Sequence, residues 1–461
     1  MYTIDLQKPV HVYFIGIGGI SMSGLAHILQ SKGFKISGSD AKESENTKAL
    51  EALGIKVYYG QKEENLIESL PIDVVVYTAA VHADNPEYAY AVKNNIPMLT
   101  RAELLGQIMK GYRLPVCVSG THGKTTTTSM ISKVMLEADL DPTLSIGGIF
   151  KDIGGNIKVG GSDLFVTEAC EYTNSFLSFF PGVAVILDID ADHLDFFKDL
   201  DDIRHSFRKF CELVPDDGYI VINGDIDNVS YFTDGLKCHV ITYGTSSDND
   251  YYPTDISYNE YACATFTLNR KNGESDVISV GVPGEHNVFN ALATAAVSDI
   301  FGVDEPHIKK AIADFGGTNR RFEYKGVVDG VTIIDDYAHH PTEIRATLEA
   351  AKNYPHKNIW CVFQPHTYTR TKALMDDFAS ALSLADNVVL ADIYAARETD
   401  TLGISSRTLQ NKIIELGHNC NYFPSFEEIE KFLLQNCTEG DLLITMGAGD
   451  IVNVGHHLLG K

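Results

Sequence analysis

The stretch VCVSGTHGKTTTTSMISKVM, residues 116–135, constrains the fold of this chain more than any other part of it. An apolar run breaks at Ser119-Gly120, passes through Gly123-Lys124-Thr125 and continues as a helix-compatible segment. The spacing G-x-x-G-K-T is a shortened relative of the phosphate loop G-x-x-x-x-G-K-[ST]. Val118, not a glycine, stands five residues before Gly123. The physics survives the shortening. Backbone N–H groups of the turn and of the helix N-terminus can cradle phosphates. Lys124 can reach the β- and γ-phosphates, and the Thr125 hydroxyl can hold Mg²⁺. A glycine-rich turn that merely contains a lysine would read the same way. The strand before it and the helix after it favour nucleotide binding.

A strand feeding a helix through a short turn belongs to a parallel α/β sheet, and the rest of the chain reads accordingly. Residues 10–108 alternate strands (VHVYFIGIGG, FKISGSD, IKVYYG, DVVVYTAA) with helices (ISMSGLAHILQSKG, TKALEALG, YAYAVKNN), then IPMLTRAELLGQIM as a strand and a helix. A second unit holds the phosphate loop and the buried-strand patterns DLFVTEAC and VAVILDID. In its later part TSSDNDYYPTDISYNE reads as a polar connection, YACATFTL as a half-exposed strand before an Asn272-Gly273 turn, and NVFNALATAAVSDIFG as a helix. A third unit has four strands ending in polar clusters: VTIIDDYAHHP, NIWCVFQPHTYTR, NVVLADIYAARE and DLLITMGAGD. Chemistry in open α/β sheets gathers at carboxyl ends of strands, so these four should meet at one crevice. The expected architecture is three α/β domains: a Rossmann-like sheet over 1–110, a central phosphate-loop domain over 111–319, and a second Rossmann-like domain over 320–461. A length of 461 residues suits that number.

The net charge of −25 argues against nucleic acid or an anionic membrane as a partner of the whole molecule. Anionic ligands must be met locally, and two further clusters fit that need. Glu168 ends one buried strand, with Glu171 three residues on. Asp190, Asp192, His193 and Asp195 follow another. Carboxylate oxygens suit Mg²⁺. The first turn, GIGGIS, has Ser21 where the dinucleotide pattern has glycine, yet it can still seat a diphosphate at a helix N-terminus, with Asp40 ending the next strand. The eight cysteines show no C-x-x-C spacing and read as reduced thiols. No signal peptide and no membrane span is visible, so a cytoplasmic protein is expected.

The pieces GIGGISMSGLA, SGSD, GTHGKTTTT, TEACEY, DADHLD, GEHNVFNALA, NRRFE, DDYAHHPTE, QPHTYTR and MGAGD, in this order and across nearly the whole chain, resemble the Mur ligases. The resemblance implies an ATP-dependent ligase of peptidoglycan precursor synthesis. It would phosphorylate the carboxylate of UDP-N-acetylmuramate and let the amine of L-alanine displace the phosphate. The sibling activity, attaching a recycled peptide to the same sugar nucleotide, is the alternative. It further implies that Gly18, Gly19, Ile20, Ser39, Asp40 and Thr78 bind the UDP substrate. Gly120, Thr121, His122, Gly123, Lys124, Thr125 and Thr126 would hold the ATP phosphates. His286, Asn287 and Asn290 would flank adenine, and Arg320 would approach ATP from the third domain. Thr125, Glu168 and His193 would hold Mg²⁺ or Mn²⁺. His339, His366 and Arg370 would serve the incoming alanine and the acyl group, with His193, His339 and His366 open as the base for its amine. A monomer or weak homodimer is expected. Two positions depart from the family pattern: Cys170 stands where relatives often carry Asp, and Ser21 where they often carry Gly. A nicotinamide oxidoreductase built on the first sheet would explain residues 10–108 and leave the loop at Gly120 unexplained.

Overall fold

The computed structural model describes residues 2–78, 80–194, 196–396 and 398–461. They form two compact units: one runs to Gly120 and takes in Met135–Ile189 and Arg204–Ile241, the other comprises Thr121–Val134, Asp190–Ile203 and Thr242–Lys461.

In the first unit, β1 (His11–Ile15), β2 (Lys35–Asp40), β3 (Lys56–Tyr59), β4 (Val74–Tyr77) and β5 (Met98–Thr100) make a parallel sheet in the order β3-β2-β1-β4-β5. Every residue of β1 is buried, as a strand covered on both faces requires. The order reverses beside β1, and ligands of such sheets bind outside the carboxyl ends at that reversal. The turn Gly16–Gly19 follows β1, Asp40 closes β2 and Thr78 follows β4, so the residues expected to bind the UDP substrate leave three adjacent strands.

Six more strands of this unit are β6 (Val116–Ser119), β7 (Thr143–Phe150), β8 (Gly155–Lys158), β9 (Phe165–Glu168), β10 (Val183–Ile186) and β11 (Tyr219–Asn223), ordered β11-β10-β6-β9-β7-β8. All run parallel except β8, which pairs antiparallel with β7. β6 lies between β9 and β10, so Gly120, Glu168 and Asp188 all follow or close parallel neighbours at one edge.

β12 (His239–Tyr243) carries the chain into the second unit, where Tyr243 pairs with Tyr251. There β13 (Tyr251–Tyr258), β14 (Cys263–Arg270) and β15 (Ser275–Pro283) form an antiparallel meander. The expected polar connection at 245–260 is therefore half strand. Tyr251 and Pro253 point inward, and the polar letters after them are the exposed face of β13, bulged between Thr254 and Ser257. The helix after the meander is His286–Ile300.

The last sheet comprises β16 (Glu323–Val328), β17 (Val331–Asp336), β18 (Ile359–Phe363), β19 (Asn387–Leu390), β20 (Asn419–Tyr422) and β21 (Leu442–Met446), ordered β16-β17-β21-β18-β19-β20. Only β16 runs antiparallel. Alternate residues serve two cores, as strand geometry dictates. Ile334, Cys361 and Phe363 meet the helices that contribute Ile344, Phe378 and Leu409, whereas Ile333, Trp360 and Val362 meet Ile429, Leu433 and Val454. The four polar strand ends read from the sequence belong to β17, β21, β18 and β19, which are consecutive neighbours.

Candidate active site

The phosphate loop starts where β6 stops. Gly120 has φ +146° and Gly123 φ +79°, and a Cβ on Gly120 would lie 2.9 Å from both Leu187 and Asp188. Glycine is therefore required by conformation and by space. The helix Lys124–Glu137 follows at once. Lys124 Nζ donates to the Thr121 carbonyl at 3.0 Å, folding the side chain back over its own turn. The Thr121 hydroxyl accepts from the Asp190 amide at 2.9 Å. Thr127 donates to Asn290 Oδ1 at 3.0 Å, and Asn290 donates to Asn287 at 2.8 Å, so two of the residues expected beside adenine are tied to the loop's own helix.

Around His122 the structure gathers residues from distant motifs. Its ring lies 3.4 Å from Asp190 Oδ2, 3.3 Å from Glu343 Oε1 and 4.8 Å, centroid to centroid, from the ring of His340. Asp190 also accepts from the Thr342 hydroxyl at 2.7 Å. The His122 contact, aided by Thr342, holds the Asp190 carboxyl well below the usual range. His122, Asp190 and His340 bring metal-ligating atoms within 4.8 Å of one another; His122 shares a hydrogen bond with Asp190 at 3.4 Å, and His340 Nε2 meets the Ala191 carbonyl at 3.3 Å. Two residues on, Asp192 accepts from Arg370 Nε at 3.1 Å and Nη2 at 3.0 Å. Burial works against ionisation of Asp192, and Arg370 with His193 overrides it, so its carboxyl also stays low. Of the acidic cluster, Asp192 thus pairs with a guanidinium, and Asp190 meets an imidazole and a hydroxyl. Asp195 lies outside the described residues.

His193, φ +54°, keeps its ring 3.7 Å from Asp192 Oδ2. Glu168, in the other unit, closes β9. Its Oε1 accepts from the Gly147 amide at 2.5 Å, and a Cβ on Gly147 would meet Oε2 at the same distance. Oε2 has no partner among the described residues.

The strand ends of the last sheet hold the remaining expected residues. Arg320 donates to Asp335 at 2.9 Å and to the carbonyls of Gly449 and Gly447 at 3.0 and 2.6 Å, and lies over the Tyr337 ring. All of these contacts are inside the last segment of the chain. Arg370 Nη1 donates to His366 Nδ1 at 3.2 Å. The rings of His366 and His339 stand 5.8 Å apart, edge to face. Burial lowers the His339 pKa to about 4.

At the first sheet, the amides of Gly16 and Ile17 both donate to the Ser39 carbonyl at 2.8 Å, and the Gly18 amide donates to Asp40 Oδ2 at 2.8 Å. Ile20, an apolar residue opening its helix, is 51% exposed at the mouth of this turn. The Ser39 hydroxyl is fully buried and donates to Glu87, away from solvent.

Four functional candidates escaped the sequence reading. Glu343 is the capping residue of the helix Pro341–Lys352 and also meets His122, His339 and Arg321. Arg321 shares the Tyr337 ring with Arg320. Glu87 is completely buried and accepts from Tyr13, Ser39 and Asn65. Arg101 opens the helix Arg101–Met109, where its charge opposes the helix dipole, and donates to Ser21 at 3.1 Å beside Cys170. The two departures from the family pattern thus meet at one guanidinium. A basic residue at a helix start was the available signal.

The family model described as "Mur ligase family, catalytic domain" matches residues 11–113, "Mur ligase middle domain" matches 118–298, and "Mur ligase, glutamate ligase domain" matches 320–449. A UDP-N-acetylmuramate–L-alanine ligase of Agathobacter rectalis is 59% identical over 461 residues, with both chains fully covered. The crystal structure of the UDP-N-acetylmuramate-alanine ligase of Thermotoga maritima superposes with a TM-score of 0.82 at 29% identity, over 98% of each chain. A murein peptide ligase of Psychrobacter arcticus shares the fold, with a TM-score of 0.74 at 23% identity and 98% coverage of both chains.

Proposed function

The chain belongs to the Mur ligase family, and from that premise we infer that it joins L-alanine to the carboxylate of UDP-N-acetylmuramate at the expense of ATP. The observation that carries the reading is full-length identity of 59% to a ligase of that name, together with an intact phosphate loop ending in Lys124 and Thr125. The sibling activity on a recycled peptide has peptide-ligase neighbours at 23% identity and, over 68% of this chain, at 29%, both far below the 59% full-length identity to the alanine ligase.

The chemistry follows from charge. A carboxylate is a poor electrophile, so the muramate oxygen first attacks the γ-phosphate, giving an acyl phosphate and ADP. Two anions must approach, and Lys124 with the amides of the loop offsets their repulsion. The turn Gly16–Ile20 with Asp40 and Thr78 holds the UDP end, Ser39 shaping it through its carbonyl. On the family resemblance Thr125, Glu168 and His193 would be the ligands of Mg²⁺ or Mn²⁺, and a hydroxyl, a carboxylate and an imidazole are donor types that suit such an ion. The ion supplies further neutralisation of phosphate charge when bound. On this reading His366 and Arg370, in contact at 3.2 Å, serve the acyl group and the amino acid, and Arg320 ties the end of β17 to the turn after β21. No helix among the described residues is long and apolar enough to cross a membrane.

Product mass after incubation with ATP, UDP-N-acetylmuramate, L-alanine and the competing tripeptide tests the reading. One alanine added is the expected result, and exclusive addition of the tripeptide overturns it.

A further inference from the structure

Three histidines could take the proton that the alanine nitrogen must lose, and the geometry separates them. His366 Nδ1 faces Arg370 Nη1 at 3.2 Å. A guanidinium can only donate, so that nitrogen is an acceptor and the proton of the neutral ring sits on Nε2. His193 belongs to the proposed metal ligands. His339 is oriented the other way. Its Nδ1 lies 3.0 Å from the Tyr337 carbonyl and 3.3 Å from Glu343 Oε2. Two acceptors on one side place the ring proton on Nδ1 and leave the Nε2 lone pair without a partner among the described residues.

We propose that His339 Nε2 is the base for the alanine nitrogen, and that Glu343 is the positioning residue that fixes its tautomer and orientation. This assignment rests on the acyl-phosphate reading above. Glu343 is suited to the task because its place is over-determined. Its Oε2 accepts the His339 amide at 3.0 Å and, in the capping box of the helix Pro341–Lys352, the His340 amide at 3.4 Å, and its Oε1 faces His122 of the phosphate loop. The groups facing His339 are Glu343, Arg370, Asp192, His366 and Tyr337. Burial and Arg370 keep the ring neutral, while Glu343 and Asp192 restore part of its basicity.

The step balances. The free amine of alanine forms a bond to the acyl carbon, and its nitrogen becomes positive. One N–H proton passes to His339 Nε2. The bond from carbon to the phosphoryl oxygen breaks, its electron pair leaving with phosphate, and the imidazolium returns the proton to that phosphate.

Hydroxylamine separates this role from a structural one, since it is already a free nucleophile at neutral pH and traps the acyl phosphate as a hydroxamate. With the full chain, ATP and UDP-N-acetylmuramate, His339→Asn should slow alanine ligation about 10²-fold or more and leave hydroxamate formation within about threefold. Glu343→Gln, which retains an oxygen for the helix cap, should show the same split at about tenfold. Equal loss of both activities, or loss of neither, overturns the assignment. Absence of hydroxamate with the unsubstituted chain removes the acyl-phosphate reading, and the assignment with it.

Discussion

At the residue scale, function and stability rest on single groups whose surroundings leave little choice. Lys124 is the clearest. Lys124→Ala should lower turnover by about 10³-fold, because a preorganised cation facing developing phosphate charge is lost. Binding of UDP-N-acetylmuramate, measured by calorimetry without ATP, should change little, and a parallel loss of both would count against this division of labour. Glu87 makes the structural counterpart. It is completely buried and receives Tyr13, Ser39 and Asn65. Glu87→Ala would strand those donors, at a cost of about 2–4 kcal/mol in denaturant unfolding. A loss near zero would mean that water replaces the carboxylate. Burial raises the Glu87 carboxyl pKa, and its hydrogen bonds pull the other way.

At the scale of elements, the strand ends were the most legible part of the chain. DDYAHHP, QPHTYTR, ADIYAARE and MGAGD each break an apolar run with polar letters, and the sheet sets all four side by side. What the letters could not give was pairing across sequence distance. Asp190 and Asp192 read as metal ligands because two acidic residues beside a histidine look alike in either role, and only the fold brings His122, Thr342 and Arg370 against them. β13 was illegible for a different reason: a strand with one wet face and a bulge has the composition of a loop. Gly147 in β7 offers a test of how one element places another's side chain. Its missing Cβ leaves the space occupied by Glu168. Gly147→Ala should displace that carboxylate and raise the Mg²⁺ concentration needed for half-maximal activity by about tenfold, the order expected when a group supporting a metal ligand is disturbed. An unchanged metal titration would dissociate Glu168 from the cation.

For the whole molecule, buried imidazoles dictate the response to acid. His11, His339 and His340 all have lowered pKa values, in each case chiefly from burial. Between the unfolded value near 6.5 and the lowered folded values, the unfolded chain binds more protons, so stability falls as pH falls. Each group contributes at most about 1.4 kcal/mol per pH unit in that window. Below about pH 4 the carboxyls of Asp190, Asp192 and Glu343, held low in the fold, begin to withdraw their own support. Thermal unfolding followed by calorimetry should therefore show a midpoint that declines steadily from pH 7 to pH 5, and a flat profile would contradict the burial of these rings. Lys124 closes a ring with the carbonyl of Thr121 inside its own turn. On the proposed reading, a nucleotide's phosphate oxygen would take over from that carbonyl, and a side chain already folded over its own turn would need less ordering at the moment of docking.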